Sequence, residues 1–197
     1  MASTANACGC DFNTLRRRTI FVEFCTNPDS RIGKLAPPGV EVVRLTIKDD
    51  LTTPDGLAKA IDAVTTPDAT VILFGALPCT GGSQCQRVNW HRGNADTRRN
   101  ILEHRKVFRV LWRNFVIVAE QCVALGGGVA FEWPRSCAYW HDRSVRSFIK
   151  RHDMIEVQLD GCMYGLTSLM PKTSGMPIRK PWTIATSMGV ESAMQEV

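Results

Sequence analysis

Three short apolar runs constrain this chain more than any other feature: "TIFVEFC" at residues 19–25, "ATVILFGAL" at 69–77 and "GVAFEWP" at 128–134. Each is too short for a spanning helix and rich in β-branched or aromatic residues, so each reads as a buried strand. The second is apolar enough to be covered on both faces, as in a parallel sheet between helices. The segments around these runs alternate in kind. "NPDSRIGKL" reads as a turn entering a short helix, with Asp29 or Ser30 as N-cap. "PPGVEVVRLTI" reads as loop then strand, and "TPDGLAKAIDAVTTPD" as a helix bracketed by turn residues. Residues 95–124 have the period of a long amphipathic helix, ended by Gly126, Gly127 and Gly128. "SVRSFIKRHD" reads as a helix, and "MIEVQLDG" and "WTIATS" as late strands. The alternation predicts an α/β, Rossmann-like domain with a mostly parallel sheet and helices on both faces.

That domain is expected over residues 19–187, with a basic N-terminal tail at 1–18 and a second tail at 188–197. The 197 residues suffice for one domain with a sizeable core. No apolar run approaches the roughly 20 residues of a membrane span. "MASTANACGCDFNTLRRRT" lacks the apolar centre of a secretory signal. Its arginines would also suit a transit peptide, but a frayed tail is the simpler reading. The expectation is a soluble intracellular protein without a membrane partner. Eight cysteines are then reduced thiols, and with no Cys-x-x-Cys and four scattered histidines no metal site is expected.

The net charge of +5 is modest, but its distribution is uneven. Arg87, Arg92, Arg98, Arg99, Arg105, Lys106, Arg109 and Arg113 cluster after residue 86, with Trp90 and Trp112 among them. Of these, Arg87, Arg92, Arg98, Arg99, Arg105 and Arg109 are candidate contacts to nucleic acid, the alternative being a solvated helix face.

Ligands of parallel α/β sheets gather at the carboxyl ends of the strands. Three such ends carry chemistry: Glu23 to Ser30, Pro78 to Ser83, and Glu132 to Pro134. Cys79 is either a packed core thiol or a thiol shown to a ligand. Glu132 closes an apolar strand, a costly place for a carboxylate that is neither paired nor in use.

In order and spacing these motifs resemble the cytosine-5 DNA methyltransferase family, over residues 19 to about 187. "FGALPCTGGS" is similar to its Pro-Cys nucleophile motif, "GGGVAFEWP" to the strand ending in its glutamate, and "LDGCMYGLTSLMPKTSGMPIRKPWTIATS" to its later Tyr-Gly segment and strand. The resemblance implies a Rossmann-like fold, S-adenosylmethionine as cofactor and DNA as partner. It implies that Cys79 adds to C6 of cytosine, that Glu132 holds N3, and that Arg179 touches the base. Activation of Cys79 would come from nearby positive charge or loop N–H groups lowering its pKa.

On the cofactor side the usual glycines are replaced by "NPDS". Phe24, Asn27, Asp29, Ser30 and Pro78 would then form the loop, with Glu23 beneath it. Asp49 and Asp50 would reach the ribose, or else they form a helix-capping turn. "PCTGGS" and "EWP" depart from the family's usual wording, and the length holds no separate recognition domain. Two further readings follow: a fold without the chemistry that serves as a nucleic-acid-binding module, and a cysteine hydrolase pairing Cys79 with His91 or His104.

Overall fold

A computed structural model describes residues 18–188. The two expected tails therefore lie almost wholly outside the described residues. Arg18, placed in the first tail, opens a strand, and the Met188 N–H reaches Thr186 Oγ1 at 3.1 Å.

The strands are β1 (Arg18–Thr26), β2 (Val40–Thr46), β3 (Ala69–Gly75), β4 (Gly128–Pro134), β5 (Ile155–Asp160) and β6 (Pro181–Thr186). The helices are α1 (Arg31–Lys34), α2 (Pro54–Val64), α3 (Gln84–Arg92), α4 (Ala95–Ala124) and α5 (Arg143–Arg151). One six-stranded sheet runs in the order β2-β1-β3-β4-β6-β5. The first four strands are parallel, and β6 is antiparallel to both β4 and β5. The protein is thus an α/β domain with a mostly parallel sheet. The chain steps from β1 outward to β2 and then back across to β3, so the direction of winding reverses between β1 and β3.

Right-handed crossovers send helices to opposite faces when the winding direction changes. Accordingly, α1 lies on one face, where Gly33 sits against Glu23, Val42 and Arg44. The other face, with Ile20, Val22, Phe24, Val71 and Leu73, is covered by α2, α4 and α5. Helices thus lie on both faces, but unequally: among the described residues the long helices share one face, and the four-residue α1 lies on the other, so full cover of both faces is not found. The idea that 69–77 is buried twice over fails with it. Val71 and Leu73 are buried, while Ile72 and Phe74 are only half-buried. Their apolar side chains belong to the open face, which is why the run looked uniformly apolar.

The covered face is built on α4. Its Ile101, Phe108, Leu111, Trp112, Phe115, Val118, Ala119 and Cys122 are buried and follow helical spacing. Phe115 meets Phe24 edge to face at 5.4 Å, and Trp112 meets Phe131 and Phe148 likewise. Asn94 caps the helix by accepting the Thr97 N–H at 2.9 Å. At the far end Gly126 adopts φ +81°, a conformation that a side chain would strain. Among the described residues no helix is long and apolar enough to cross a membrane.

Candidate functional site

β3 leaves the sheet after Gly75, and the following residues are held from two sides. The Ala76 N–H donates to Phe24 O at 2.9 Å, and Trp133 Nε1 of β4 donates to Leu77 O at 2.8 Å. A tight turn over Thr80–Gly82 closes with the Gly82 N–H on Cys79 O at 3.0 Å, and Arg105 Nε of α4 donates to Gly81 O at 3.1 Å. Gly81 and Gly82 are buried. A Cβ on Gly81 would stand 2.5 Å from Tyr139 Oη, and one on Gly82 2.9 Å from the same ring. The glycines therefore serve close packing on Tyr139, and the loop carrying Cys79 is a pinned turn rather than a mobile flap.

Cys79 is half-buried at the start of this turn. Glu132 projects from β4 onto the open face, opposite Ile184 of β6. Its Oε2 is buried and has no hydrogen-bond partner. It lines a groove of about 660 Å³ with Phe74, Leu159, Tyr164, Trp182 and Ile184, a size suited to a small ligand or a single base. Burial raises the Glu132 pKa, and the Lys180 ammonium opposes that rise. Burial and then the Glu132 charge raise the Cys79 pKa, with Lys180 again on the lowering side. Cys79, Glu132 and Lys180 thus act on one another, and the resting thiol is less acidic than usual. The expected activation by lowering is not found.

Arg179, the cation expected at the base, instead bonds Asp160 Oδ2 through Nε at 3.0 Å, with its side chain 76% exposed. The next residue is the one near the thiol and the carboxylate. Lys180 Nζ also lies 4.5 Å over the Trp182 ring. "RK" offered two cations on an extended stretch, where neighbouring side chains point to opposite sides. The sequence held no signal for which of them turns inward.

Glu132 sets a pH dependence that can be measured. An acid whose pKa is raised by folding stabilises the fold only below its unfolded pKa, and that stability is lost as pH rises through the folded value. Glu132→Gln removes the loss. The variant is expected to melt with the wild type below about pH 4 and above it at about pH 8. A lower melting temperature at the higher pH would mean that the ionised carboxylate has a partner.

The residues marked for a cofactor divide into supports and rim. Glu23 is 1% exposed, takes hydroxyl bonds from Ser30 and from Thr26 (3.4 Å), and pairs with Arg44 Nε at 3.1 Å. It lies beneath the loop, as expected, and holds it. Phe24 is fully buried in the core, so only its backbone faces the loop. Cys25, at φ 62°, makes the left-handed exit from β1 that a glycine would take without strain. Asn27 Oδ1 accepts the Asp29 N–H at 2.9 Å, and exposed Asp29 pairs with Lys34 at 3.2 Å. Asp49 accepts the Thr46 N–H at 2.6 Å in a capping box, and Lys59 beside it holds its carboxyl below the usual range. The capping alternative therefore describes Asp49. Asp50 is exposed beyond β2, with Oδ1 bonded to Thr52, and Pro78 is exposed at the β3 exit.

The arginines divide too. Arg87, Arg105 and Arg109 line cavities between the helices. Arg98 bonds Trp90 O at 3.0 Å, Arg99 pairs with Asp96, and Arg92 is exposed at the end of α3. His91 and His104 are exposed on α3 and α4, and the charges acting on Cys79 are those of Glu132 and Lys180. A Cys–His pair has no support in this arrangement. Among the described residues no three metal-ligating side chains converge.

No family model, curated protein or solved structure matches the chain.

Proposed function

We propose that this chain is a Rossmann-like, S-adenosylmethionine-dependent methyltransferase acting on cytosine in nucleic acid, with DNA as substrate, through a covalent adduct at Cys79. The observation that carries the reading is the pairing of Cys79 with Glu132 at the carboxyl ends of adjacent parallel strands, where Glu132 Oε2 is buried without a partner. An orphan carboxylate beside an open groove is costly to keep and fits a ligand with a complementary polar edge.

The raised pKa of Glu132 keeps it protonated to higher pH, so it donates to N3 of the base. Its neutralisation also removes the like charge that holds the Cys79 proton, leaving Lys180 to favour the thiolate. The thiol proton goes to solvent and a bond forms from Sγ to C6. The C5–C6 π pair becomes nucleophilic at C5 as N3 takes the Glu132 proton. Transfer of the methyl group to C5 would leave the donor as its neutral thioether; N3 then returns its proton to Glu132, and loss of the C5 proton to solvent with cleavage of the Sγ–C6 bond restores Cys79. The methyl donor would sit at the β1–β3 reversal, with exposed Asp50 after β2 offered to ribose hydroxyls and exposed Asn27 and Pro78 at the ends of β1 and β3. Bound there, S-adenosylmethionine supplies an electrophilic methyl group. A nucleophilic thiol of this kind suits a reducing, intracellular compartment.

Calorimetric titration with S-adenosylmethionine tests the cofactor half directly. Binding in the micromolar range, about −8 kcal/mol, is expected. No heat at millimolar ligand would sink it. The commitment of Glu23 and Asp49 to internal ion pairs favours a second reading, a nucleic-acid-binding module without chemistry. Under that reading, strand binding persists without cofactor binding and is indifferent to Cys79→Ala.

A further inference from the structure

Three cavities on the helical face share their walls. The first lies between α3 and α4 and includes Arg87, Arg105 and His141. The second shares Arg105 and His141 and adds Phe108, Arg109 and Asp142. The third shares Arg109, Phe108 and Asp142 and continues past Trp112, Arg113 and Arg143 toward α5. Together they form one groove along α4 from residue 105 to 117, about 18 Å at helical rise. Its upper end is Gly81 and Gly82, the turn that carries Cys79.

The groove is strongly polarised. Arg87, Arg105, Arg109, Arg113 and Arg143 have no ion-pair partner among the described residues, whereas Arg44, Arg146, Arg151 and Arg179 are paired. Its one acidic residue, Asp142, is occupied in capping α5, accepting the Ser144 N–H at 2.8 Å. Two buried donors in its walls lack acceptors: Tyr139 Oη, on a residue 6% exposed, and Trp112 Nε1, on one 4% exposed. A groove lined by unpaired cations and orphan donors, with an apolar floor of Phe108 and Trp112, matches a chain of anionic acceptors joined by less polar units.

We infer that this groove binds a single-stranded phosphodiester backbone and leads the strand away from the Cys79 turn. The inference rests on nucleic acid being the substrate, and it adds a path that the Cys79–Glu132 site does not itself provide. Two of its contacts, Tyr139 and Arg143, lie outside the basic stretch marked in the sequence. Arg92, Arg98 and Arg99 of that cluster fall outside the groove.

The test is fluorescence anisotropy of the full chain with a labelled single-stranded, cytosine-containing oligonucleotide across a salt series. The triple variant Arg109→Ala, Arg113→Ala, Arg143→Ala is expected to bind about 100-fold more weakly at low salt. Its log–log salt slope should be shallower by about 2, from three lost contacts at about 0.7 each. The single variants should show intermediate losses with unchanged thermal melting, which separates binding from folding. Arg98→Ala with Arg99→Ala should stay within about twofold of wild type. Wild-type chain that binds the strand through these arginines but neither binds S-adenosylmethionine nor transfers a methyl group would remove the reaction and keep the groove. The inference is overturned if the wild type does not bind the strand or if the triple variant binds like wild type. It is overturned equally if a poly-glutamate peptide of matching charge binds these arginines more tightly than the oligonucleotide, since the groove would then be a protein site.

Discussion

Replacing Cys79 by serine is expected to abolish covalent capture of an oligonucleotide carrying 5-fluorocytosine and to lower methyl transfer about 10³-fold or more. Fluorine at C5 cannot leave as a proton does, so an adduct that reaches the methylated stage cannot eliminate Cys79. Wild-type protein incubated with S-adenosylmethionine and this oligonucleotide should gain the mass of the strand plus one methyl group. Serine is close in size, so the turn pinned by Leu77, Gly81 and Arg105 should be unaltered. Its hydroxyl, however, is a far weaker acid and a poorer nucleophile toward C6. Intact-mass spectrometry reads the adduct directly. Full transfer by Cys79→Ser would remove the cysteine from the reaction, whatever the cofactor result.

The second large effect is on stability. Arg44→Ala leaves Glu23, 1% exposed, without the guanidinium that faces it on β2. Stranding one member of a buried ion pair costs about 3–5 kcal/mol, out of about 5–15 for a whole domain. Arg44 keeps some contact with water, its side chain being 27% exposed, so the lower end applies and the melting temperature should fall by about 10 °C. Glu23→Gln combined with Arg44→Met leaves no buried charge, and most of the loss should return. Thermal denaturation of the three variants decides the matter. If Arg44→Ala melts like wild type, Glu23 is not held by this pair, and its place as the support beneath the loop after β1 is lost.

The elements that sequence reading located were those that bury a periodic apolar face. The 95–124 helix and the 128–134 strand were found at their actual limits because every turn or alternate residue carries core contacts. α3 was missed because none of its nine residues is buried, so it leaves no period to read. Coverage of the sheet was misread for the opposite reason: Phe21, Ile72 and Phe74 are apolar without lying under a long helix. At the site, Cys79 and Glu132 were visible because polar groups at the ends of apolar strands stand out. Lys180 was not, since the turn of an extended segment toward or away from a neighbour depends on tertiary contacts. Asp49 and Asp50 were equivalent in sequence, and only the capping geometry separates a structural acid from an exposed one.

β6 is the last strand of the described chain, yet it fills an interior position in the sheet. During synthesis β4 and β5 emerge first, and the strand that joins them in the sheet is made after both. Until residues 181–186 arrive, the nascent sheet carries an unpaired β4 margin, a natural template for misassociation. The same late strand brings Ile184 opposite Glu132 and carries Trp182 beneath Lys180. The groove over Glu132 therefore comes into being only with the final closure of the sheet.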